Sequence, residues 1–248
     1  MISILAVVLA LVTGLPSNCV GCSFANRDLR GADLSNTKYV GASFAHTDLR
    51  NASFRDADLA GASFHDADLR GADFSGAHLA GISLRNARIA GARFETAELA
   101  GVDLREVLDG ASDADVRGLL HACAGCDMSD ANLSGRNLDG IGIPGGNLRG
   151  ARASGARLEG ADLEGVNFRG ADLRNADLRN ARLCNYNTDV VGGVTVNRQV
   201  GCASFESADV HGADLRGALL CEHKQCTPVD AATLRAHAHS DLAGAILP

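Results

Sequence analysis

Residues 67–76 read Ala-Asp-Leu-Arg-Gly-Ala-Asp-Phe-Ser-Gly, which is one five-residue unit written twice. In each unit a small residue stands two positions before a large apolar residue, a polar residue lies between them, and a turn-forming residue ends the unit. The large apolar position, which we call the centre, recurs every five residues from Phe24 to Leu104, seventeen times without a gap. The fold of the chain follows from the backbone geometry that can place all of these centres on one side.

A five-residue period suits neither an α-helix nor a straight β-strand. Five residues rotate by about 500° on a helix, so successive centres would drift by about 140° around its surface. On a straight strand an odd period sends alternate centres to opposite faces. The centres share one side only if the chain turns a corner in every unit, and the Gly, Asn or Asp that ends most units tolerates turn geometry. Four such corners close one coil, so equivalent positions recur after every fourth unit.

The phenylalanines test this coil length independently. The six phenylalanines of the first tract form two sets in which neighbours are four units apart, so each set should stack into a ladder, with the two ladders on opposite faces of the coil. The first ladder comprises Phe24, Phe44 and Phe64, and the second comprises Phe54, Phe74 and Phe94.

The same unit returns twice after the first tract ends. A second block has twelve centres from Met128 to Leu183, and a third fragment has four, at Phe205, Val210, Leu215 and Leu220. The three tracts together contain 33 units. A repeat of this extent predicts a solenoid whose core is buried between stacked coils.

The unit resembles that of the pentapeptide-repeat family, which is a small residue, then Asp or Asn, then Leu or Phe, then two variable residues. Residues 161–165, Ala-Asp-Leu-Glu-Gly, match it fully, and the resemblance covers about two-thirds of the chain. It implies an all-β solenoid, specifically a right-handed quadrilateral β-helix. The handedness comes from the resemblance alone, since the period gives only the four-sided coil.

Breaks in the period divide the chain into segments. We predict a helix at the block junction that begins with the capping box Ser112-Asp113-Ala114-Asp115 and runs to about Leu120. Thr227-Pro228 predicts the start of a second helix, which would run to about His239 and cover the end of the coil. The predicted organisation is a signal peptide (1–17), repeat block 1 (18–106), a helical junction (107–122), repeat block 2 (123–184), an irregular loop (185–201), repeat block 3 (202–222) and a C-terminal helical cap (223–248).

The segment at 1–17 indicates export. Ile2 to Leu15 is an uncharged apolar run, too short for the roughly 20 residues that a membrane-spanning helix needs. Val12-Thr13-Gly14 or Leu15-Pro16-Ser17 fits a small-residue cleavage site. We therefore expect a periplasmic or secreted chain with no stable membrane span after cleavage, with an uncleaved anchor or a buried first segment as alternatives.

Eight cysteines follow this segment, an even number that is typical of disulfides in an oxidising compartment. The motifs Cys19-Val20-Gly21-Cys22 and Cys123-Ala124-Gly125-Cys126 open blocks 1 and 2 in the same register, so the chain reads as a duplication in which each pair faces inward. Local disulfides are favoured here, and buried thiols or a zinc site are the alternatives.

The remaining cysteines also suggest disulfides. Cys184 and Cys202 flank the loop at 185–201, and Cys221 and Cys226 bracket a short turn. A metal cluster that adds His223, His237 and His239 to the last pair is a less favoured alternative.

The charge pattern shows neither a basic stripe for binding nucleic acid nor a sustained acidic face. The formal net charge is −7, but residues 19–106 carry ten basic against twelve acidic residues and residues 123–184 carry eight of each. Asp before the centre and Arg after it predict solvated ion-pair rows on the coil faces. The arginines of these rows are Arg30, Arg50, Arg70, Arg149, Arg169, Arg174 and Arg179.

No catalytic or phosphate-binding motif is found, so we expect neither an enzyme nor a cofactor. The favoured function is an exported scaffold or interaction module that binds an unidentified protein or cell-envelope partner. One alternative is a DNA-mimicking binder of type II topoisomerase, a role that some members of the resembled family play as acidic, rod-shaped dimers. A metal-binding envelope protein that uses the C-terminal Cys/His segment is the other. The loop at 185–201 is where specific function is expected, because it departs from the repeat.

Overall fold

The computed structural model describes residues 15–108, 111–121, 123–191, 194–222, 225–237 and 242–248, without the side chains of 185–201, 222, 225 and 237. The chain divides into two compact units, Met1–Ala122 and Cys123–Pro248. The second unit thus begins at the residue where the repeat resumes with its Cys-x-Gly-Cys motif.

The first unit is a β-helix-like repeat in which four five-residue units make each coil. Parallel bridges join each residue before a centre to the equivalent residue one coil later, as in Ser23 with Ser43 and Ser43 with Ser63. The backbone hydrogen bonds follow the same spacing: the amide of Phe44 donates to the carbonyl of Ser63 at 2.7 Å. The period-five argument therefore gives the observed coil length.

Each unit turns at its last residue, which we call the corner. Corner residues have a left-handed backbone, with φ between 53° and 72° from Gly21 to Gly101. Glycine adopts this conformation without strain, and Asn and Asp are the side chains that tolerate it best. This requirement explains why the fifth position of the unit is so narrow in composition.

The interior of the first unit is filled by the centres and by the alanines two positions before them. The phenylalanines of each set stack, with ring centroids 5.1 Å apart for Phe44 and Phe64 and 5.0 Å apart for Phe54 and Phe74. The two ladders also meet edge to face across the interior, 5.4 Å apart at Phe44 and Phe54. The phenylalanine ladders thus fill two opposite sides of the interior, and mainly leucines fill the other two.

Short elements close the first unit. Strand β1 is Leu99–Ala100 and helix α1 is Asp113–Leu120. Ser112 is the N-cap of α1, and its hydroxyl and the Asp115 carboxylate form the reciprocal bonds of a capping box. Val116, Leu119 and Leu120 are buried. The junction helix lies where the sequence predicts it.

The second unit begins with β2 (Cys123–Ala124) and continues as a coil of the same length. Bridges join Asp127 to Asn147 and Asp162 to Arg182. The next bridge joins Asn167 to Ser204, whereas the residue one normal coil beyond Asn167 is Asn187. The coil therefore carries an insertion as long as 186–202 and then resumes, so the predicted third block is the continuation of the second within one unit.

The insertion is a β-hairpin and not the irregular loop that we expected. Strand β3 (Arg182–Val191) pairs antiparallel with β4 (Val194–Cys202) and parallel with β5 (Leu219–Glu222). Strand β5 in turn pairs with β6 (Gln225–Pro228), and the sheet order is β4-β3-β5-β6. The valines that flank Gly192-Gly193 favour strands, and Gly-Gly is a hairpin-turn signal, which the repeat analysis overlooked.

The C-terminal helix, α2, is Ala231–His237, so the predicted start at Thr227-Pro228 was wrong. Thr227 and Pro228 belong to β6, where they pair with Leu220 and Leu219. Asp230 caps the helix instead, because its carboxylate accepts from the amide of Thr233 at 2.7 Å. The predicted end near His239 lies outside the described residues.

The C-terminal residues after helix α2 also pack on the coils of the second unit. Leu234 of α2 and Leu242 are buried. The amide of Ile246 donates to the carbonyl of Ala213 at 2.8 Å, and its carbonyl accepts from Leu215 at 2.8 Å. The last residues thus continue the bridge pattern of the coil.

Candidate functional site

The outer faces of the coils carry rows of arginine–aspartate pairs. In these pairs the arginine that follows a centre folds back onto the aspartate that precedes it, as in Arg50 Nη2 to Asp48 Oδ2 at 2.6 Å. The Arg50 Nε also lies 3.8 Å from Asp68 Oδ2 on the next coil. The same pairing, from an aspartate to the second residue after it, occurs at Asp28–Arg30, Asp68–Arg70, Asp103–Arg105, Asp172–Arg174, Asp177–Arg179 and Asp214–Arg216.

Two arginines of the predicted rows do not form this arginine–aspartate pair. Arg149 and Arg169 follow Asn147 and Asn167, so there is no carboxylate two residues before them. The guanidinium of Arg169 instead reaches Glu206, with Nη2 to Oε1 at 3.2 Å. The rows are thus interrupted in the second unit where Asn replaces Asp.

The paired carboxylates are held in the ionised form. The hydrogen bond from Arg50 lowers the pKa of Asp48, and partial burial acts in the opposite direction. Arg179 lowers the pKa of Asp177 in the same way. A general acid needs a pKa raised towards neutrality. These carboxylates are therefore set up as charged surface groups rather than as acid catalysts.

All eight cysteines are paired in disulfides, Cys19–Cys22, Cys123–Cys126, Cys184–Cys202 and Cys221–Cys226. Their burial differs: Cys123 and Cys126 are buried, as expected of inward-facing positions, whereas Cys19 and Cys22 are partly exposed. Cys19 and Cys22 belong to the first described coil, which has no earlier described coil against it. The last two disulfides join directly opposed residues of β3–β4 and β5–β6.

One cluster of metal-ligating side chains comes together among the described residues, and the sequence analysis missed it. It comprises His46, His65 and Asp66, whose ligand atoms all lie within 4.8 Å of one another. His46 and Asp66 are separated by one full coil, so the coil length is the signal that would have paired them. The predicted alternative with His223, His237 and His239 lies outside the residues or side chains that the structure describes.

A groove of about 310 Å³ runs between α1 and the coil in the first unit, lined by Phe94, Glu95, Asp115 and Gly118 among others. One of its charged groups is already engaged, because Asp115 accepts from the amide of Gly91 at 2.8 Å. Within the described residues, no helix has the length and apolar character needed to cross a membrane.

Comparison with known proteins identifies the repeat. The family model for pentapeptide repeats matches in eight copies, over residues 40–76, 67–106 and 147–184. No curated protein matches the chain.

Several solved structures are similar. A pentapeptide repeat protein from the thylakoid lumen of Arabidopsis thaliana is 35% identical, over 37% of this chain and 68% of that one, with a TM-score of 0.31. HetL from the cyanobacterium Nostoc, a pentapeptide repeat protein involved in the regulation of heterocyst differentiation, is 28% identical over 80% and 89% of the two chains, with a TM-score of 0.27. QnrB1, a plasmid-mediated fluoroquinolone resistance protein, is 22% identical over 82% of each chain, with a TM-score of 0.39.

Proposed function

The chain belongs to the pentapeptide-repeat family, and we propose that it is an exported, non-enzymatic scaffold. In this role the outer faces of its coils would bind a protein or another component of the cell envelope. We further infer that each coil is a right-handed quadrilateral. The left-handed corners at every fifth residue from Gly21 to Gly101 support the four sides, and membership of the family supports the hand.

The observation that carries the proposal is the complete pairing of the cysteines. Four disulfides use all eight sulfurs, and each lies at a regular place in the fold: the first turn of a repeat block or an opposed pair of strand residues. Such disulfides persist in oxidising compartments and are rare in the cytosol. They support export to the periplasm or the cell exterior.

The coil faces support a binding role over catalysis. Their charged groups neutralise one another in pairs, and paired aspartates such as Asp68 have a lowered pKa because of the neighbouring arginine. What the faces offer is a flat, regularly spaced array of charged and polar groups, which suits recognition of an extended partner surface. The arginines within the rows also reduce the negative electrostatic potential of the coil faces, which a mimic of DNA would need.

The experiment is to express the full chain with its own N-terminus in a bacterial host and to fractionate the cells. Mass spectrometry of the purified protein then reads the N-terminus and the number of alkylatable thiols. We expect a shortened N-terminus, an exported chain and no free thiol before reduction. An intact Met1 together with free thiols would contradict export and favour the type II topoisomerase alternative. Crosslinking in intact cells then identifies the partner, and a variant without the hairpin tests where that partner binds.

A further inference from the structure

We propose that His46, His65 and Asp66 form a binding site for a divalent transition-metal ion of the Zn²⁺ class on the surface of the first repeat block. This inference is independent of the scaffold role, because it concerns one corner of the coil and not the faces or the disulfides.

The distances between the ligand atoms suit a metal ion. Asp66 Oδ2 lies 2.9 Å from His65 Nε2 and 3.5 Å from His46 Nδ1. Ligands about 2.0–2.1 Å from a tetrahedral zinc ion are separated from one another by about 3.3 Å. Only a small adjustment of rotatable side chains would bring the three atoms around one centre.

The donor set selects the class of metal. Two imidazoles with one carboxylate are the borderline donors that zinc and its neighbours prefer, whereas calcium and magnesium take oxygen ligands. All thiols of the chain are committed to disulfides. Three protein ligands leave the fourth position open to water or to a donor from a bound partner.

The repeat fixes the backbone of this site before any ion binds. His46 and Asp66 are corner residues on adjacent coils, with φ of 56° and 55°. The amide of His46 donates to the carbonyl of His65 at 2.8 Å, and the amide of Asp66 donates to the carbonyl of Arg85 at 2.9 Å. Both ligand-bearing turns are thereby tied to each other through the coil ladder, so binding orders few further residues.

The repeat itself does not call for the two histidines, whereas an aspartate such as Asp66 is an ordinary corner residue. The corner positions one coil before His46 and one coil after Asp66 are Asn26 and Asn86, and Asn serves the left-handed turn at least as well as His. The positions one and two coils before His65 are Ala45 and Ala25. The turn therefore needs no histidine. Metal binding would explain why two histidines lie next to Asp66 at this corner.

The surroundings leave the site accessible. The side chains of His46, His65 and Asp66 are 54%, 35% and 34% exposed. The nearest cation along the column is Arg85, one coil beyond His65, and its Nε donates to Glu106 at 2.8 Å on the following coil. The Nδ1 of His65 is buried without a hydrogen-bond partner in the described structure, so Nε2 is the nitrogen that faces the cluster.

The test is a Zn²⁺ titration of the full, oxidised chain after removal of metal with a chelator, with a chromogenic chelator as competitor. We expect one Zn²⁺ per chain at this site. His46→Asn, His65→Ala and Asp66→Asn replace each ligand with the residue that the same column carries elsewhere, so these variants keep the turn. Each should weaken Zn²⁺ binding at least about tenfold, since even second-shell changes cost 10–100-fold.

His78→Gln is the matched control, because His78 pairs with Asp58 outside the cluster. It should leave Zn²⁺ affinity within about twofold of the wild-type value, and circular dichroism should show that every variant keeps the fold. In NMR spectra Zn²⁺ should shift the ring protons of His46 and His65 but not those of His78. Zn²⁺ binding by the wild type no stronger than that of the triple variant overturns the proposal. Strong binding that survives all three substitutions, and is lost instead when His223, His237 and His239 are replaced, overturns it as well.

Discussion

At the residue scale, the stability of the first block depends on buried aromatic rings that pack against one another. Phe64 is fully buried, stacks 5.1 Å from Phe44 and meets Phe54 and Phe74 edge to face. Phe64→Ala leaves a cavity in a coil whose walls are fixed by the bridge ladder. We expect a loss of about 3–5 kcal/mol in the free energy of unfolding, measured by denaturant titration.

Two further variants separate this effect from a general sensitivity of the coil. Phe64→Leu places the commonest centre residue in the same position, and we expect a loss under about 1.5 kcal/mol. Val20→Ala alters a side chain that is 72% exposed, so it should change stability by less than about 0.5 kcal/mol. Equal losses for the alanine and leucine variants of Phe64 would contradict the cavity argument.

The arginine–aspartate rows give the chain a defined acid sensitivity. Arg216 lowers the pKa of Asp214 in the folded state, chiefly through a side-chain hydrogen bond. The stabilisation is therefore present above the unfolded pKa of about 3.9 and is lost as the pH falls through the lower folded pKa. Asp214→Asn should lower the Tm by about 1–3 °C at pH 7, and the difference should vanish near pH 2.

Thermal melts of the wild type and of Asp214→Asn between pH 2 and pH 7 check this sign. Repeating them at high salt is the control, because exposed pairs are screened and the difference at pH 7 should shrink. A difference that grows as the pH falls would show that the pair does not act through the aspartate charge.

At the element scale, we predict that the coil can lose the hairpin and still fold. Its strands interrupt the repeat between Cys184 and Ala203, and the bridges before and after it keep one register once a stretch as long as 186–202 is removed. Deleting residues 186–202 joins Leu183-Cys184-Asn185 to Ala203-Ser204-Phe205, which restores a normal unit with Asn at the corner. With Cys184→Ser in the same variant, we expect a folded chain with a cooperative melt.

The full-length Cys184→Ser/Cys202→Ser variant is the matched control for this deletion. It keeps the hairpin and loses only the disulfide, which we expect to cost about 3 kcal/mol for a loop of this length. If the deletion variant melts without cooperativity while the control remains folded, the hairpin is part of the core and not an insertion.

The junction helix offers a second test at this scale. Asp115 serves two purposes, since its carboxylate completes the capping box with Ser112 and also accepts from the amide of Gly91 on the coil. Ser112→Ala removes only the cap and should cost about 1 kcal/mol. Asp115→Ala should cost more, because it also leaves the Gly91 amide without that partner. Urea unfolding followed by circular dichroism compares the two, and equal losses would show that the tie to the coil contributes nothing.

The sequence predicts this architecture unevenly, for a physical reason. Coil length, interior ladders and the Ser112 cap follow from local rules, because each depends on a period or on a few adjacent residues. Phe168 stacks on Phe205 with the ring centroids 5.2 Å apart. Their spacing in the sequence does not match four units per coil, so this contact can be predicted only when the length of the hairpin insertion is known. The coil length that pairs the phenylalanines also pairs His46 with Asp66, but histidine is not part of the repeated unit, so the periodicity argument did not include this cluster.

At the scale of the whole molecule, the proposed export raises the question of where the mature chain would begin. The two cleavage sites that the sequence allows lie close together, after Gly14 and after Ser17. Two residues between these sites, Pro16 and Ser17, accept hydrogen bonds from the first described coil. The hydroxyl of Tyr39 donates to the carbonyl of Pro16 at 2.6 Å, and the amide of Lys38 donates to the carbonyl of Ser17 at 2.9 Å.

These contacts favour a mature chain that starts at Leu15, three residues earlier than the predicted signal peptide of residues 1–17 implies. Cleavage after Ser17 would remove the acceptor of the Tyr39 hydroxyl, so this hydrogen bond, worth about 1 kcal/mol, would be lost. The intact mass of the exported protein distinguishes the two starts directly. Tyr39→Phe provides a second measurement: it should destabilise a chain that begins at Leu15 by about 1 kcal/mol, because the hydrogen bond is lost. In a chain that begins at Asn18 the same substitution would be neutral or stabilising, since it removes an unsatisfied hydroxyl, and that result would contradict the expected start.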